Sequence, residues 1–282
     1  MFLITGASGN VGSQVVSQLL AAGQRVRAYV RDPAKLAPFR WSEQVEIALG
    51  DYASPDAFEN ALEGVKGVFM MNVGEAEAFE RLVARARSRG VSRIAFLSTL
   101  MVEMAPDTAL ARMHAQKEAI ILASGLEARL LRPTGFMSNS LLWAPGIRTD
   151  GVVQNPMGDG RFAPIAPEDI AAVAARALTD ASSTETVMPL TGGETISVPE
   201  QVERLAQALD RPLRCVDITA EMAIESLVRA GVPQPVAASV AKSYEAVRAG
   251  RAATTTDTVE RVLGRQPLRF EQWAKAHVAA FR

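Results

Sequence analysis

The chain has 282 residues, 48% of them hydrophobic and 22% charged, with a net charge of −1 at pH 7. That length buries a full core, as one large domain or as a domain plus a lobe. The near-neutral balance favours neither nucleic acid nor an anionic membrane surface as a bulk partner. A single cysteine, Cys215, excludes an intrachain disulfide, and with only His114 and His277 beside it a zinc site has too few soft ligands. No apolar run approaches the roughly 18 residues of a membrane span. The first strand starts at the N-terminal methionine and leaves no room for a secretory leader. The expectation is a cytoplasmic protein, monomer or homodimer, acting on a small molecule.

The first element is an apolar strand that runs into Gly6-x-x-Gly9-x-x-Gly12 and then into a helical pattern (Val15, Val16, Leu19, Leu20) ended by Gly23. Strand, glycine turn and helix in this order suit a dinucleotide. The glycines allow a tight turn and close approach of a pyrophosphate, and the helix start offers N–H groups and the positive end of its dipole. The loop residues Thr5, Gly6, Ser8, Gly9, Asn10, Val11 and Gly12 are the candidate phosphate cradle. Strands follow at 25–30 and 45–49, then a helix at 55–62 with Ser54 as N-cap and Pro55 at its first position. Next come a strand at 67–71, a helix at 75–89 stopped by Gly90, a strand at 93–98, a helix at 110–124 stopped by Gly125, and a strand at 127–131. Repeated βα units of this length predict an α/β fold, a Rossmann-type parallel sheet with helices on both faces.

After Pro133 the rhythm breaks. Residues 134–166 carry many Gly, Pro, Asn and Met residues without long periodicity, and are expected to form loops above the strand ends. A helix is predicted at 167–178, a strand at 187–190, and a strand at 213–217. Further helices are predicted at 199–209, 220–230, 234–249, 256–263 and near 270–280. The expected division is a dinucleotide-binding core over residues 1–150 and a smaller, mostly helical, substrate-binding lobe over 151–282. The lobe packs on the core as one unit, and the helix near 167–178 returns to the core.

Several runs in series resemble a known family: Gly6-Ala-Ser-Gly-Asn-Val-Gly12, Val30-Arg31-Asp32-Pro33, Gly50-Asp51-Tyr52, Ala61-Leu-Glu-Gly-Val-Lys-Gly-Val-Phe69, His114-Ala-Gln-Lys-Glu118, Leu131-Arg-Pro-Thr-Gly-Phe-Met-Ser-Asn139 and Pro167-Glu-Asp-Ile-Ala171. Over roughly its first 180 residues the chain is similar to the NmrA-like proteins, an atypical branch of the short-chain dehydrogenase/reductase superfamily. That branch includes NAD(P)H quinone oxidoreductases and reductases of specialised metabolism. It also includes redox-sensing regulators that bind the dinucleotide without catalysis.

The resemblance assigns roles to residues beyond the loop. Arg31, after the second strand, suits the 2′-phosphate of NADP, and Lys35 adds charge. Asp32 either repels that phosphate or pairs with Arg31. NADP(H) is therefore favoured, with NAD(H) the other candidate. Asp51 resembles the position that meets the adenine amino group, with Tyr52 beside it; a loop-capping carboxylate is the competing reading. Asn72 and Val73 lie near the expected path of the nicotinamide ribose. Ser98 ends the fifth strand, where a serine of typical short-chain dehydrogenases supports a tyrosine acid in Tyr-x-x-x-Lys. Here Lys117 is preceded at that spacing by Met113, which cannot protonate a carbonyl oxygen. Lys117 and His114 are the candidate catalytic residues: the lysine to bond the nicotinamide ribose, the histidine to donate a proton. Glu118, on the same helix side, reads as structural. Pro133, Gly135 and Phe136 resemble the segment beside the nicotinamide carboxamide. Phe136, Met137, Asn139, Trp143 and Met157 are candidates for substrate contact, and several are equally suited to the core. The expected function is hydride delivery from NAD(P)H to a quinone-like, enone or imine-type acceptor. The competing reading is a non-catalytic NAD(P)-binding sensor that acts through a protein partner.

Overall fold

The structure is a computed structural model, and it describes residues 1–72 and 74–282. In chain order the elements are β1 (Phe2–Thr5), α1 (Gly12–Ala21), β2 (Val26–Val30), β3 (Glu46–Leu49), α2 (Pro55–Ala61), β4 (Gly67–Met71), α3 (Ala76–Ser88), β5 (Arg93–Leu97), α4 (Met101–Met104), α5 (Ala109–Ala123) and β6 (Glu127–Pro133). They continue with α6 (Ala144–Asp150), β7 (Val152–Asn155), β8 (Arg161–Phe162), α7 (Pro167–Thr179), β9 (Val187–Leu190), β10 (Ile196–Ser197), α8 (Val198–Leu209), β11 (Arg214–Asp217), α9 (Ala220–Arg229), α10 (Gln234–Arg248), α11 (Thr258–Leu263) and α12 (Phe270–Ala276). Among the described residues, no helix is long and apolar enough to cross a membrane.

Seven strands form one sheet in the order β3-β2-β1-β4-β5-β6-β9. From β3 to β6 all pairs are parallel. At β6 the N–H of Leu130 donates to Thr186 O and that of Thr134 to Leu190 O, so β9 advances in the same direction. The order reverses between β1 and β4, which places the ligand crevice of such a sheet at the carboxyl ends of these two strands. β1 and β5 are buried throughout and β4 along all but its last residue, as strands covered on both faces must be. On one face Leu3, Val68, Met70, Ile94, Phe96 and Leu130 pack with Phe58 of α2, Phe79 and Leu82 of α3, and Ile121 of α5. The opposite face carries α1 and α7, which pack on each other.

The chain forms two compact units of nearly equal size, and it passes between them repeatedly. Unit 1 comprises residues 1–99, 113–132 and 167–189; unit 2 comprises 100–112, 133–166 and 190–282. Two expectations are corrected here. The boundary is not at residue 150, and the second unit is not the smaller one. α7 lies in unit 1. Residues 134–166 are also not simply loops. They hold a 3₁₀ turn at Met137–Trp143, then α6, β7 and β8. These elements are too short to show a period, and α6 is built from Ala-Pro-Gly, residues that read as a break. Unit 2 has its own core, in which Ile147, Val153, Leu205, Phe270, Trp273 and Phe281 are buried together. β11 pairs with β7 inside this unit.

Candidate active site

The glycine turn separates its residues into two kinds. Gly6 is in the left-handed region at φ 63°. A Cβ on Gly12 would lie 2.2 Å from the carbonyl oxygen of Gly6, a contact with backbone that cannot yield. Gly12 therefore lets the start of α1 close on the end of β1. A Cβ on Gly9 would meet only that same oxygen, at 3.3 Å, so its outer side is open. Val11 is buried and belongs to the core. Ser8 is half-buried and Asn10 exposed. Thr5 is fully buried; its hydroxyl donates to Phe69 O at 2.9 Å and accepts the Met71 N–H at 3.2 Å, tying β1 to β4. The first turn of α1 has no acidic residue and no side-chain cap, so its N–H groups and dipole are not already neutralised.

Beyond β2, Arg31 and Lys35 are exposed. Asp32 accepts the Ala34 N–H at 3.0 Å and caps a short 3₁₀ turn at Pro33–Leu36. Its carboxylate has that role, not a pair with Arg31. Beyond β3, a Cβ on Gly50 would strike the Tyr29 hydroxyl at 2.3 Å. That hydroxyl donates to Asp51 O at 2.8 Å and fixes the loop. Asp51 Oδ1 and the Tyr52 hydroxyl are buried without a full hydrogen bond. Burial raises the Tyr52 pKa, so the phenol stays neutral.

Lys117 is almost completely buried, and its Nζ donates to Asn72 Oδ1 and to Gly74 O, each at 2.6 Å, just past β4. The same Nζ lies 5.3 Å from the centre of the Phe79 ring. Burial lowers its pKa, and Glu75 partly offsets this. Val73, between Asn72 and Gly74, lies outside the described residues. Met113 is 40% exposed, and its thioether is no acid. His114 is 8% exposed, its Nδ1 is sealed without a partner, and its pKa is pushed down to about 4. Burial is the main cause; the Lys117 charge adds to it and Glu118 opposes it. At neutral pH it is an uncharged imidazole, which departs from the expectation of a protonated donor.

One cluster joins residues that stand far apart in the sequence. Buried Glu118 accepts from Ser98 Oγ at 2.5 Å and from Arg132 through Nε at 2.9 Å and a terminal nitrogen at 2.5 Å. Ser98, expected at the cofactor, has its hydroxyl on this carboxylate. The available signal was an arginine ending an apolar strand opposite a glutamate on the buried side of a helix.

The remaining candidates belong to unit 2. Pro133 is buried, and its carbonyl accepts the Leu100 N–H at 2.9 Å. Gly135 is exposed, and its carbonyl accepts the Ile165 N–H at 3.0 Å. Phe136 is half-buried and bridges to Ile165. Met137 is 2% exposed and lies in the core, with Trp143 and Met157 packed against the same cluster. These three follow the core reading. Asn139 is exposed.

A dinucleotide fits these residues. The open side of Gly9, the uncapped start of α1, the exposed Arg31 and the partnerless Asp51 carboxylate oxygen line up along the carboxyl ends of β1, β2 and β3. Comparison with known proteins agrees. The NAD(P)H-binding family matches residues 6–181. The (4-alkanoyl-5-oxo-2,5-dihydrofuran-3-yl)methyl phosphate reductase of Streptomyces griseus is 37% identical, over 100% of this chain and 99% of that protein. The NAD(P)H azoreductase of Xenophilus azovorans is 33% identical, again over 100% and 99%. The crystal structure of an NADPH-dependent quinone oxidoreductase from Escherichia coli, complexed with NADPH, superimposes with a TM-score of 0.84 at 26% identity. It covers 98% of this chain and 99% of that one.

Proposed function

The chain belongs to the NAD(P)H-binding family, and from that premise we propose that it is an NADPH-preferring reductase of electron-poor organic acceptors, the class of quinones, enones, imines and azo compounds. That it is an NAD(P)H-dependent oxidoreductase follows from its reductase relatives. The acceptor class rests on one observation: Met113 stands at the tyrosine position and His114 beside it is held uncharged. No strong proton donor serves the reacting centre from this stretch of α5. A simple ketone needs such a donor, because hydride addition leaves a localised alkoxide. A quinone or enone delocalises the new charge and takes its proton later from water.

When bound, the reduced nicotinamide supplies the hydride. The protein binds and orients. The Gly9 N–H is spent on Gly6 O at 2.9 Å, so the backbone N–H groups from Asn10 to Gly12 would receive the pyrophosphate. Arg31 and Lys35 receive the 2′-phosphate, with Asp32 kept on its own turn. Asp51 receives the adenine amino group. Lys117 and Asn72 would hold the ribose side at the β4 edge. Oxidation of NADPH by a panel of quinones, enones and simple ketones tests the reading. Turnover is expected with the first two and not with the third. Arg31→Ala should lower the NADPH-over-NADH preference by about 1.5 kcal/mol, the low end for a hydrogen bond to a charged group because Arg31 is exposed. Tight NADPH binding with no turnover of any acceptor would move the weight to a sensor.

A further inference from the structure

We propose that His114 is a neutral hydrogen-bond donor, through Nε2–H, to the acceptor atom that gathers negative charge when hydride arrives. This rests on the reductase reading above and supplies the polar contact which that reading leaves open.

Position comes first. The His114 ring lies 6.0 Å from the Phe96 ring, and Phe96 is the penultimate residue of β5. α5 runs from the carboxyl-end edge of the sheet toward the other edge, as a helix following a parallel strand does. His114 is thus one turn nearer the crevice than Lys117, whose Nζ already reaches Asn72 and Gly74. The tautomer follows from burial. A neutral imidazole carries one ring hydrogen. Nδ1 is sealed with no hydrogen-bond partner, so Nε2 is the ring nitrogen left to meet a ligand. A buried N–H without an acceptor is disfavoured more than a buried lone pair without a donor, so the hydrogen sits on Nε2. The charged groups facing the ring are Lys117 and Glu118, both on α5, while β5 presents the apolar Phe96. Burial and Lys117 keep the ring neutral down to about pH 5.

The chemistry balances without a proton from His114. Hydride carries two electrons to carbon, and the acceptor's π electrons move onto its oxygen or nitrogen. Nε2–H bonds that atom and keeps its hydrogen, and water then provides the proton. This is stabilisation of developing charge by a fixed dipole, not general acid catalysis.

His114 and His277 are the two histidines of the chain, so a His277→Gln variant leaves a single imidazole for nitrogen NMR. The expected spectrum shows a neutral Nε2–H ring that does not titrate between pH 5.5 and 8. The expected kcat with a quinone is flat over the same range in the wild-type protein. His114→Leu should lower kcat by about a hundredfold, the cost of one such donor, with the NADPH Kd unchanged, and His114→Gln should regain most of the loss. An Nδ1–H ring, or a titration near pH 6.5 tracked by kcat, would overturn the proposal. So would equal activity of the Leu and Gln variants. If the wild-type protein reduces no acceptor, the reductase reading itself fails, and the tautomer is still read from the spectrum.

Discussion

At the scale of single residues, glycines that look alike in sequence have different jobs. Gly9→Val should leave the fold intact and abolish NADPH binding, because its side chain projects from the open side of the turn. Gly12→Val should lower stability by more than about 2 kcal/mol, since its Cβ meets the Gly6 backbone at 2.2 Å. Calorimetric titration and urea unfolding of both variants separate the effects. Unaltered stability of the Gly12 variant would reject the packing role. His114 makes a second prediction. Its folded pKa of about 4 lies below the unfolded value near 6.5, so the neutral form is favoured by folding. That contribution is complete above pH 6.5 and is lost as pH falls toward 4, on the order of 3 kcal/mol over the window. His114→Gln should flatten that part of the stability–pH curve, and identical slopes would mean that the ring is not buried as described.

At the scale of elements, α5 is held by a carboxylate. Glu118 joins it to the end of β5 through Ser98 and to β6 through Arg132. Glu118→Ala takes a buried carboxylate away from the largely buried Arg132 guanidinium and from Ser98, and should cost about 3–5 kcal/mol in denaturant unfolding. A loss under 1 kcal/mol would show that α5 needs no such tie. The order of the strands and of the longer helices through β6 was legible because Gly23, Gly90 and Gly125 punctuate helices of ordinary length and the strands carry short apolar runs, whereas the four-residue α4 is too short to show a period. The glycine turn was legible for the same reason. Residues 137–155 were not, since a seven-residue helix and a four-residue strand are shorter than the windows in which periodicity shows. The role of Ser98 was hidden because its partner Glu118 is distant in sequence, and the burial that lowers the pKa of His114 is a property of packing.

At the scale of the whole molecule, the chain's passages between the units decide what can be cut. A fragment ending at residue 150 lacks α7, which belongs to unit 1, and β9, of which Val187–Pro189 belong to unit 1. Without α7, buried residues of α1 such as Val15, Val16 and Leu19 lose their cover, at about 1.5–3 kcal/mol for each side chain fully exposed. That is comparable with the whole stability of a domain. The fragment should show no cooperative thermal transition by circular dichroism, and a sharp one would reject the division. The same pairing has a consequence during synthesis. β6 ends at Pro133 and its outer neighbour β9 spans Val187–Leu190. At a translation rate of about 5–20 residues per second, the outer edge of β6 waits several seconds on the ribosome for its partner. A bare apolar strand edge is a template for another chain. Yield in cells should therefore depend on how long that edge stays open, and synonymous codons that speed passage through residues 134–190 should raise soluble yield with the amino-acid sequence unchanged.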